Sequence, residues 1–397
     1  MLKRIVSGIG LALLLIGMLT LAFTVQVVKG WTGTAHIRAD GSIDPPDAPI
    51  ITCDNVTYML TDNITTSADG IVVERDNIVI DGAGHTVQGP APYNEYCEGI
   101  NLSNRKNITI KNVKVRTFDW GIHLSNSSDS KIHKNNIEAN NAIGLLLQSS
   151  SNNGITTNNI TNNYYGIQLM GSDDNCISEN QIVCNGPGIS LALSSSSNNS
   201  ILGNDISENF WGIDLGDSSN NSICGNNIIA NLAHGIWLAG SSNNSVSQNS
   251  ITNSQNGVGF YESSDNILYH NSFINNTQQV DFLESSFANL WDDGCEGNYW
   301  SDYDGIDSDV DGTGDTPYII DENNTDNHPL MNPYWNPGDV DHDLDVDLYD
   351  AVRLLKAYGS KLGDEEYNCH CDIAEPYGKI DLYDAVLLLV NYGKKCD

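Results

Sequence analysis

Residues 212–257 read GIDLGDSSNNSICGNNIIANLAHGIWLAGSSNNSVSQNSITNSQNG. The phrase G-I-x-L opens at Gly212 and returns at Gly235. Ser219-Asn220-Asn221-Ser222-Ile223 is answered by Ser242-Asn243-Asn244-Ser245-Val246, and a third phrase follows, as in Asn159-Ile160 and Asn227-Ile228. Outward from this stretch the same glycine stands at Gly99, Gly121, Gly144, Gly166, Gly188 and Gly257, so the steps are 22, 23, 22, 22, 24, 23 and 22 residues. Each unit holds three short apolar pieces separated by Gly, Ser, Asn and Asp. No run has a 3.6-residue period and the turn residues come too often for helices. Strands this short cannot bury an apolar face alone, whereas stacked units form one continuous core. The predicted fold class is all-β, a right-handed parallel β-helix with three short strands per coil. At about 4.8 Å per coil the rod is roughly 45 Å long.

Asparagine tolerates the left-handed conformation, and its amide bonds to an asparagine one coil away. The N-x-S/T sequons at Asn126, Asn159, Asn198, Asn220 and Asn243 are read as by-products of that ladder; the alternative is surface glycosylation, for which Asn55, Asn63 and Asn323, outside the regular coils, are the better candidates.

The chain has 397 residues, only 18 Lys and Arg, and a formal net charge of −33. After Lys134 the next basic side chain is Arg353. Nucleic acid is excluded as a partner, because phosphate binding needs cations. Anionic membranes and polyanionic sugars are disfavoured on the same ground, and calcium is the natural counter-ion. Residues 1–30 carry Lys3 and Arg4 before a long apolar run, which reads as a signal peptide or an uncleaved N-terminal anchor and implies an extracellular or cell-surface protein. Nine cysteines fit an oxidising compartment, with one bridge expected among Cys369, Cys371 and Cys396.

The remaining chain divides into the rod with its caps (31–330), a Pro-punctuated linker (331–337) and a C-terminal unit (338–397). The N-terminal cap is expected over 31–89. The repeat, the DGAGHTVQG segment (81–89) and the NYWSDYDG…GDTPYIIDENNTDNHPL segment (298–330) resemble the NosD-type β-helix family, a pectin-lyase-like family named for a periplasmic copper-binding protein. That resemblance implies the fold, and implies copper as a ligand.

Chemistry along the rod is thin. Lyase sites on this fold pair carboxylates with an Arg or Lys base, and only Arg105, Lys106, Lys111, Lys114, Arg116, Lys131 and Lys134 are available. Hydrolysis needs two carboxylates about 5–10 Å apart. Asp173, Glu179, Asp205, Glu208 and Asp214 are the candidates, and the competing reading is that they are solvated acids. Copper needs converging His, Met or Cys, but His123, His133, His234 and His270 are scattered. Trp211, Trp237, Tyr164 and Tyr165 suit stacking on a neutral glycan, or plain loop packing.

Acidic loops are sharper. Asp307, Asp309, Asp311 and Asp315 fall at positions 1, 3, 5 and 9 of an EF-type calcium loop with Gly312 at 6, but Tyr318 stands at 12, where Asp321 is the substitute. The C-terminal unit repeats L-Y-D-A-V-x-L-L-x-x-Y-G. Its first copy places Asp339, Asp341, Asp343, Asp345, Asp347 and Asp350 at calcium positions and then runs into a helix. The second offers Asp372, Glu375, Asp381 and Asp384 in a longer loop. This tandem resembles a dockerin, an EF-hand-like module of two loop–helix units. The resemblance implies bound calcium and a cohesin-like partner read by Leu348, Tyr349, Leu382 and Tyr383. Leu344 occupies position 6, where a positive φ is wanted, and is expected to be strained. The functional expectation is a monomeric, secreted β-helix scaffold, attached through a calcium-dependent module. The alternatives are a polysaccharide hydrolase of a dockerin-assembled complex and a copper-binding protein.

Overall fold

The computed structural model describes residues 31–90, 96–192, 195–283, 287–308, 311–334, 336, 338–340, 343–364, 366–374, 377 and 379–395. The N-terminal apolar segment, Asp309, Asp341, Glu375 and Cys396 lie outside them.

The chain winds into a parallel β-helix of about 10 turns whose three faces are sheets of 12, 12 and 11 strands. Successive coils pair in strict register: Gln181–Val183 on Asp205–Ser207, then Asn227–Ile229, then Ser250–Thr252. The central residue of each points inward, so Ile182, Ile206, Ile228 and Ile251 stack fully buried. Each such side chain contributes about 1.5–3 kcal/mol by leaving water.

The repeating glycine is required by a close approach. A Cβ added at Gly99, Gly121, Gly144, Gly166, Gly188, Gly212 or Gly235 would lie 2.3–2.7 Å from the carbonyl oxygen of the glycine one coil on. No side chain fits there. The 22–24-residue period is therefore the period of backbone contact.

The asparagine ladders are present and buried. Asn204 Oδ1 accepts the Asn180 backbone N–H and Nδ2, each at 3.0 Å, while its own Nδ2 donates to Ile177 O and Asn226 Oδ1, each at 2.9 Å. Three of the sequon asparagines are a different set of residues. Asn198, Asn220 and Asn243 are exposed, with φ between +56° and +59°, and each immediately precedes a buried ladder asparagine. For these three the ladder reading is corrected, since they are turn residues, whereas Asn159 lies in a strand and its Nδ2 donates to Asn136 Oδ1 one coil away at 3.3 Å. The expected cap over 31–89 is also corrected. Ala35–Ile37 already pairs in parallel with Ile71–Val73, which pairs with the Gly99 coil, so this segment is part of the rod. Only the antiparallel strands Ile43–Asp44 and Ile50–Thr52 depart from the winding.

The far end of the rod is closed by aromatic rings. Phe273, Trp300 and Tyr318 stack at 4.5 and 4.4 Å between centroids. Asp326 anchors this plug by accepting from Trp300 Nε1 (2.8 Å) and Asn298 N (2.7 Å); burial, working against these bonds, pushes its carboxyl up to about 7.

Beyond the rod two short helices, Leu348–Ala357 and Leu382–Asn391, share a second small core of Val340, Val346, Leu354, Ala357, Cys371, Ile380 and Leu388. Each begins with a capping box, Asp347 with Asp350 and Asp381 with Asp384. Leu344 has φ +73°, the strained conformation expected at that loop position. No described helix is long and apolar enough to cross a membrane.

Candidate functional site: an aromatic-edged trough and an acidic end

The sheet carrying the G-I-x-L phrases presents two informative columns outward. One runs His123, Leu146, Gln168, Ser190, Asp214, Trp237, Gly259, Asp281 by register. It forms a floor rather than a solvated face. His123, Gln168, Ser190 and Asp214 are all buried, and His123 Nε2 and Gln168 Nε2 have no hydrogen-bond partner among the described residues. Buried polar atoms are nearly always paired, so these two nitrogens are exceptions, and both are closed off from solvent. Gly259 leaves room for rings: a Cβ there would meet His234 at 2.4 Å and Trp237 at 2.6 Å.

The second column, three residues earlier in each strand, runs Trp120, Ile143, Tyr165, then Pro187, Trp211, His234. Aromatic rings therefore stand at alternate coils, about 10 Å apart by strand spacing. Each has a second ring beside it: Tyr96 at 6.2 Å from Trp120, Tyr164 at 5.2 Å from Tyr165, Phe210 at 5.3 Å from Trp211. Tyr164 is 66% exposed and Tyr96 88%, and Trp120, Tyr165 and Trp211 are half-buried beside these neighbouring rings. The sequence singles out Tyr164, Tyr165, Trp211 and Trp237 as candidates. Trp120 joins their column only through the register, although its place just before Gly121 is equivalent to that of Trp211 before Gly212.

The carboxylates proposed for hydrolysis do not form a cluster. Asp214 lies on the floor, Asp205 belongs to another sheet, and Asp173, Glu179 and Glu208 sit at turns, with Asp173 accepting from Ser197 N at 2.7 Å. Nor is Asp214 solvated: it is 6% exposed, hydrogen-bonded to Ser190 Oγ at 3.0 Å, and burial lifts its carboxyl to about 6. The next floor carboxylate is Asp281, three coils on, or about 14 Å by strand spacing. That exceeds the roughly 5–9.5 Å between paired glycosidase carboxyls. Of the candidate lyase bases, Arg105, Lys111, Lys114 and Arg116 are ion-paired with Asp76, Asp81 and Glu138.

The rod does not fit copper. His123 and His234 lie five coils apart on one sheet, and each imidazole is held by a carboxylate, Glu98 at 3.0 Å and Asp281 at 3.1 Å. His270 faces Glu296 at 2.8 Å, and His133 lies on a different sheet from His123.

Two acidic loops share one internal geometry. Asp307 Oδ1 and Oδ2 accept from Asp311 N and Gly312 N at 3.2 and 3.0 Å, as Asp339 Oδ1 and Oδ2 accept from Asp343 N and Leu344 N at 3.1 and 3.0 Å. In the second of these, buried Asp350 receives Val340 N at 2.7 Å and Asp347 N at 2.6 Å. Asp384 repeats this on Ala374 N and Asp381 N. Asp345 Oδ1 is buried without a partner among the described residues, while its Oδ2 meets Lys395 Nζ at 2.6 Å. An orphaned carboxylate oxygen in an acid-rich loop fits a hard cation. Asp372 instead accepts from the Tyr367 hydroxyl at 2.6 Å, and Asp315 from Ser308 N. Leu348, Tyr349, Leu382 and Tyr383 are 63–70% exposed, so they pack neither on each other's helices nor on the rod.

The expected bridge near the second loop is corrected. Cys369 pairs with Cys295, 74 residues earlier, and Cys371 is a buried free thiol. The disulfide ties the C-terminal unit to the rod's end.

The profile of the family described as "Periplasmic copper-binding protein (NosD)" matches residues 46–211 and 163–305, well over half of the chain. No curated protein matches the sequence. Among solved structures, the periplasmic alginate epimerase AlgG is similar at TM-score 0.50 and 16% identity, over 66% of this chain and 83% of that one. The Dettilon tailspike protein (gp208) is similar at TM-score 0.48 and 16% identity, over 65% of this chain and 54% of that one. This chain thus spans about half of the tailspike. The mannuronan C-5 epimerase AlgE6 A-module of Azotobacter vinelandii gives TM-score 0.44 and 16% identity over 66% of this chain and 90% of that one. The likeness to AlgG is one of fold, a shared β-helix.

Proposed function

The chain belongs to the NosD family, and we propose that it acts there as an exported scaffold that binds a neutral polysaccharide along its trough. The observation that carries this reading is the spacing of Trp120, Tyr165 and Trp211 at alternate coils. Extended polysaccharides repeat their ring orientation every second sugar, over a comparable distance. Rings at that interval offer stacking faces to successive disaccharides. From Lys134 to Arg353 there is no cation to favour a polyanion. Affinity electrophoresis in gels containing xylan, glucan, mannan or alginate tests the proposal. Retardation by at least one neutral polymer is expected, reduced about tenfold in affinity by Trp211→Ala with Trp120→Ala. No retardation by any neutral polymer, or retardation untouched by the double variant, refutes it.

The C-terminal unit attaches this scaffold to a cohesin-like partner, with calcium held by Asp339, Asp343, Asp345 and Asp350 together with Asp341. Its support is the repeated apolar pair, Leu348-Tyr349 and Leu382-Tyr383, exposed at the start of both helices. Because the pairs are identical, either is expected to suffice. Replacing one pair by Asp leaves binding to a cohesin probe in calcium nearly intact, and replacing both removes it. Equal loss from a single pair, or binding that persists in chelator, refutes this arrangement.

A further inference from the structure

The joint between rod and C-terminal unit brings two dipeptides face to face: Cys295-Glu296 from the rod's end and Cys369-His370 from the short 3-10 helix Cys369–Cys371. Among the described residues, the side chains of Cys295, Cys369 and His370 are the group of three whose metal-ligating atoms lie within 4.8 Å of one another. Behind them Glu296 holds His370 Nδ1 with Oε1 at 2.5 Å and faces His270 Nε2 with Oε2 at 2.8 Å. A cavity of about 500 Å³ opens beside the group, lined in part by Asp293, Tyr334, Tyr367 and Asp372.

We propose that this joint is a redox-gated site for a zinc-class ion, ligated by Cys295, Cys369 and His370 once the disulfide is opened. The opening step takes two electrons and two protons from a dithiol, which becomes a disulfide as the Cys295–Cys369 bond breaks into two thiols. Binding the ion then releases those two protons as the thiolates form. Two thiolates and an imidazole are the donors of borderline-soft ions, not of calcium. At about 2.3 Å for zinc–sulfur and 2.0–2.1 Å for zinc–nitrogen, tetrahedral ligand atoms stand about 3.5–3.8 Å apart. The sulfurs need only separate, and the imidazole close in, by roughly an ångström or two. A carboxylate bonded to a ring nitrogen is the usual support of a metal-binding histidine, since it fixes the ring's orientation, and Glu296 is in that position. The fourth place faces the cavity and remains for water or a small ligand. Cys371, two residues on, is not part of the set: it is fully buried in the small core of the C-terminal unit. The bridge and the ion are then alternative fasteners of one joint, the first in oxidising and the second in reducing surroundings.

The test uses the full chain in excess calcium, so that the acidic loops are filled. Accessible free thiols are first alkylated with the disulfide intact. Dithiothreitol then opens the disulfide and is removed without air, and cobalt(II) is added. A thiolate-to-cobalt charge-transfer band with tetrahedral visible bands is expected at one ion per chain, displaced by one equivalent of zinc, and absent from the unreduced sample. Cys369→Ser removes the band, and His370→Ala weakens cobalt binding about tenfold or more. No band in reduced protein whose circular dichroism still shows the rod folded overturns the proposal. So does a band of equal strength in the unreduced sample, or a His370→Ala affinity within twofold of the parent.

Discussion

The rod and the C-terminal unit solve the same problem by opposite means. The rod makes its core by repetition. Each coil lays down the same isoleucine, the same glycine and the same asparagine, so every contact has equivalents above and below. Among the described residues, the C-terminal unit has two ten-residue helices and a core of seven buried residues. A core this small rarely stabilises a fold unaided. It is supplemented by two capping boxes, a disulfide to the rod and carboxylates that tie loop to helix. The lesson is about redundancy: damage in the rod is confined to a few coils, whereas in the C-terminal unit one side chain holds several elements.

The comparison is broken most severely at Asp350. Its buried carboxylate joins Val340 N to Asp347 N, and charged hydrogen bonds contribute about 1.5–3 kcal/mol each. Asp350→Ala is expected to destabilise the C-terminal unit by about 3–6 kcal/mol. Its helices should lose hydrogen-exchange protection while the rod's amides keep theirs; joint loss in both would erase the distinction. Next is Asn204→Ala, which strips a ladder rung of partners above and below. The expected cost is about 2–4 kcal/mol, with exchange rising only in the coils around residues 177–228. A spread to the rod's far end would show that coils are not independent.

The smallest effect sharpens the picture inside the rod. The Asp214 carboxyl is raised to about 6 by burial, above its unfolded value near about 4. The folded rod therefore prefers the protonated form. That contribution is fully present below about pH 4 and is lost as pH rises through about 6. Asp214→Asn keeps the neutral shape at every pH. It should be more stable than the parent by about 1–3 kcal/mol at pH 8, with the gap closing towards pH 4 in melting experiments. A pH-independent gap would place the effect in packing rather than charge.

Much of the rod was legible because its period is a backbone requirement. A glycine that cannot carry a Cβ leaves an unmistakable mark every 22–24 residues. The positive φ of Leu344 was legible for a similar reason, from its loop position alone. What stayed hidden depends on neighbours in other coils. Asp214 looks like any outward strand residue, and only the assembled sheet shows it buried against Ser190. The sequon asparagines Asn198, Asn220 and Asn243 and the ladder asparagines that follow them are adjacent in sequence but opposite in exposure, which composition cannot separate. Cys295 and Cys369 meet because the chain returns to the rod's end after 74 residues. Nothing local to either cysteine announces it.

Trp120, Tyr165 and Trp211 are teeth at equal intervals on a straight edge. A comb with equal teeth has no preferred registration. A polymer of matching period that shifts by one tooth gives up a contact at one end and regains its equal at the other. Lifting the polymer off breaks every contact together, while sliding exchanges them one at a time. For such a ligand the rod is a rail: held tightly across its length, free along it.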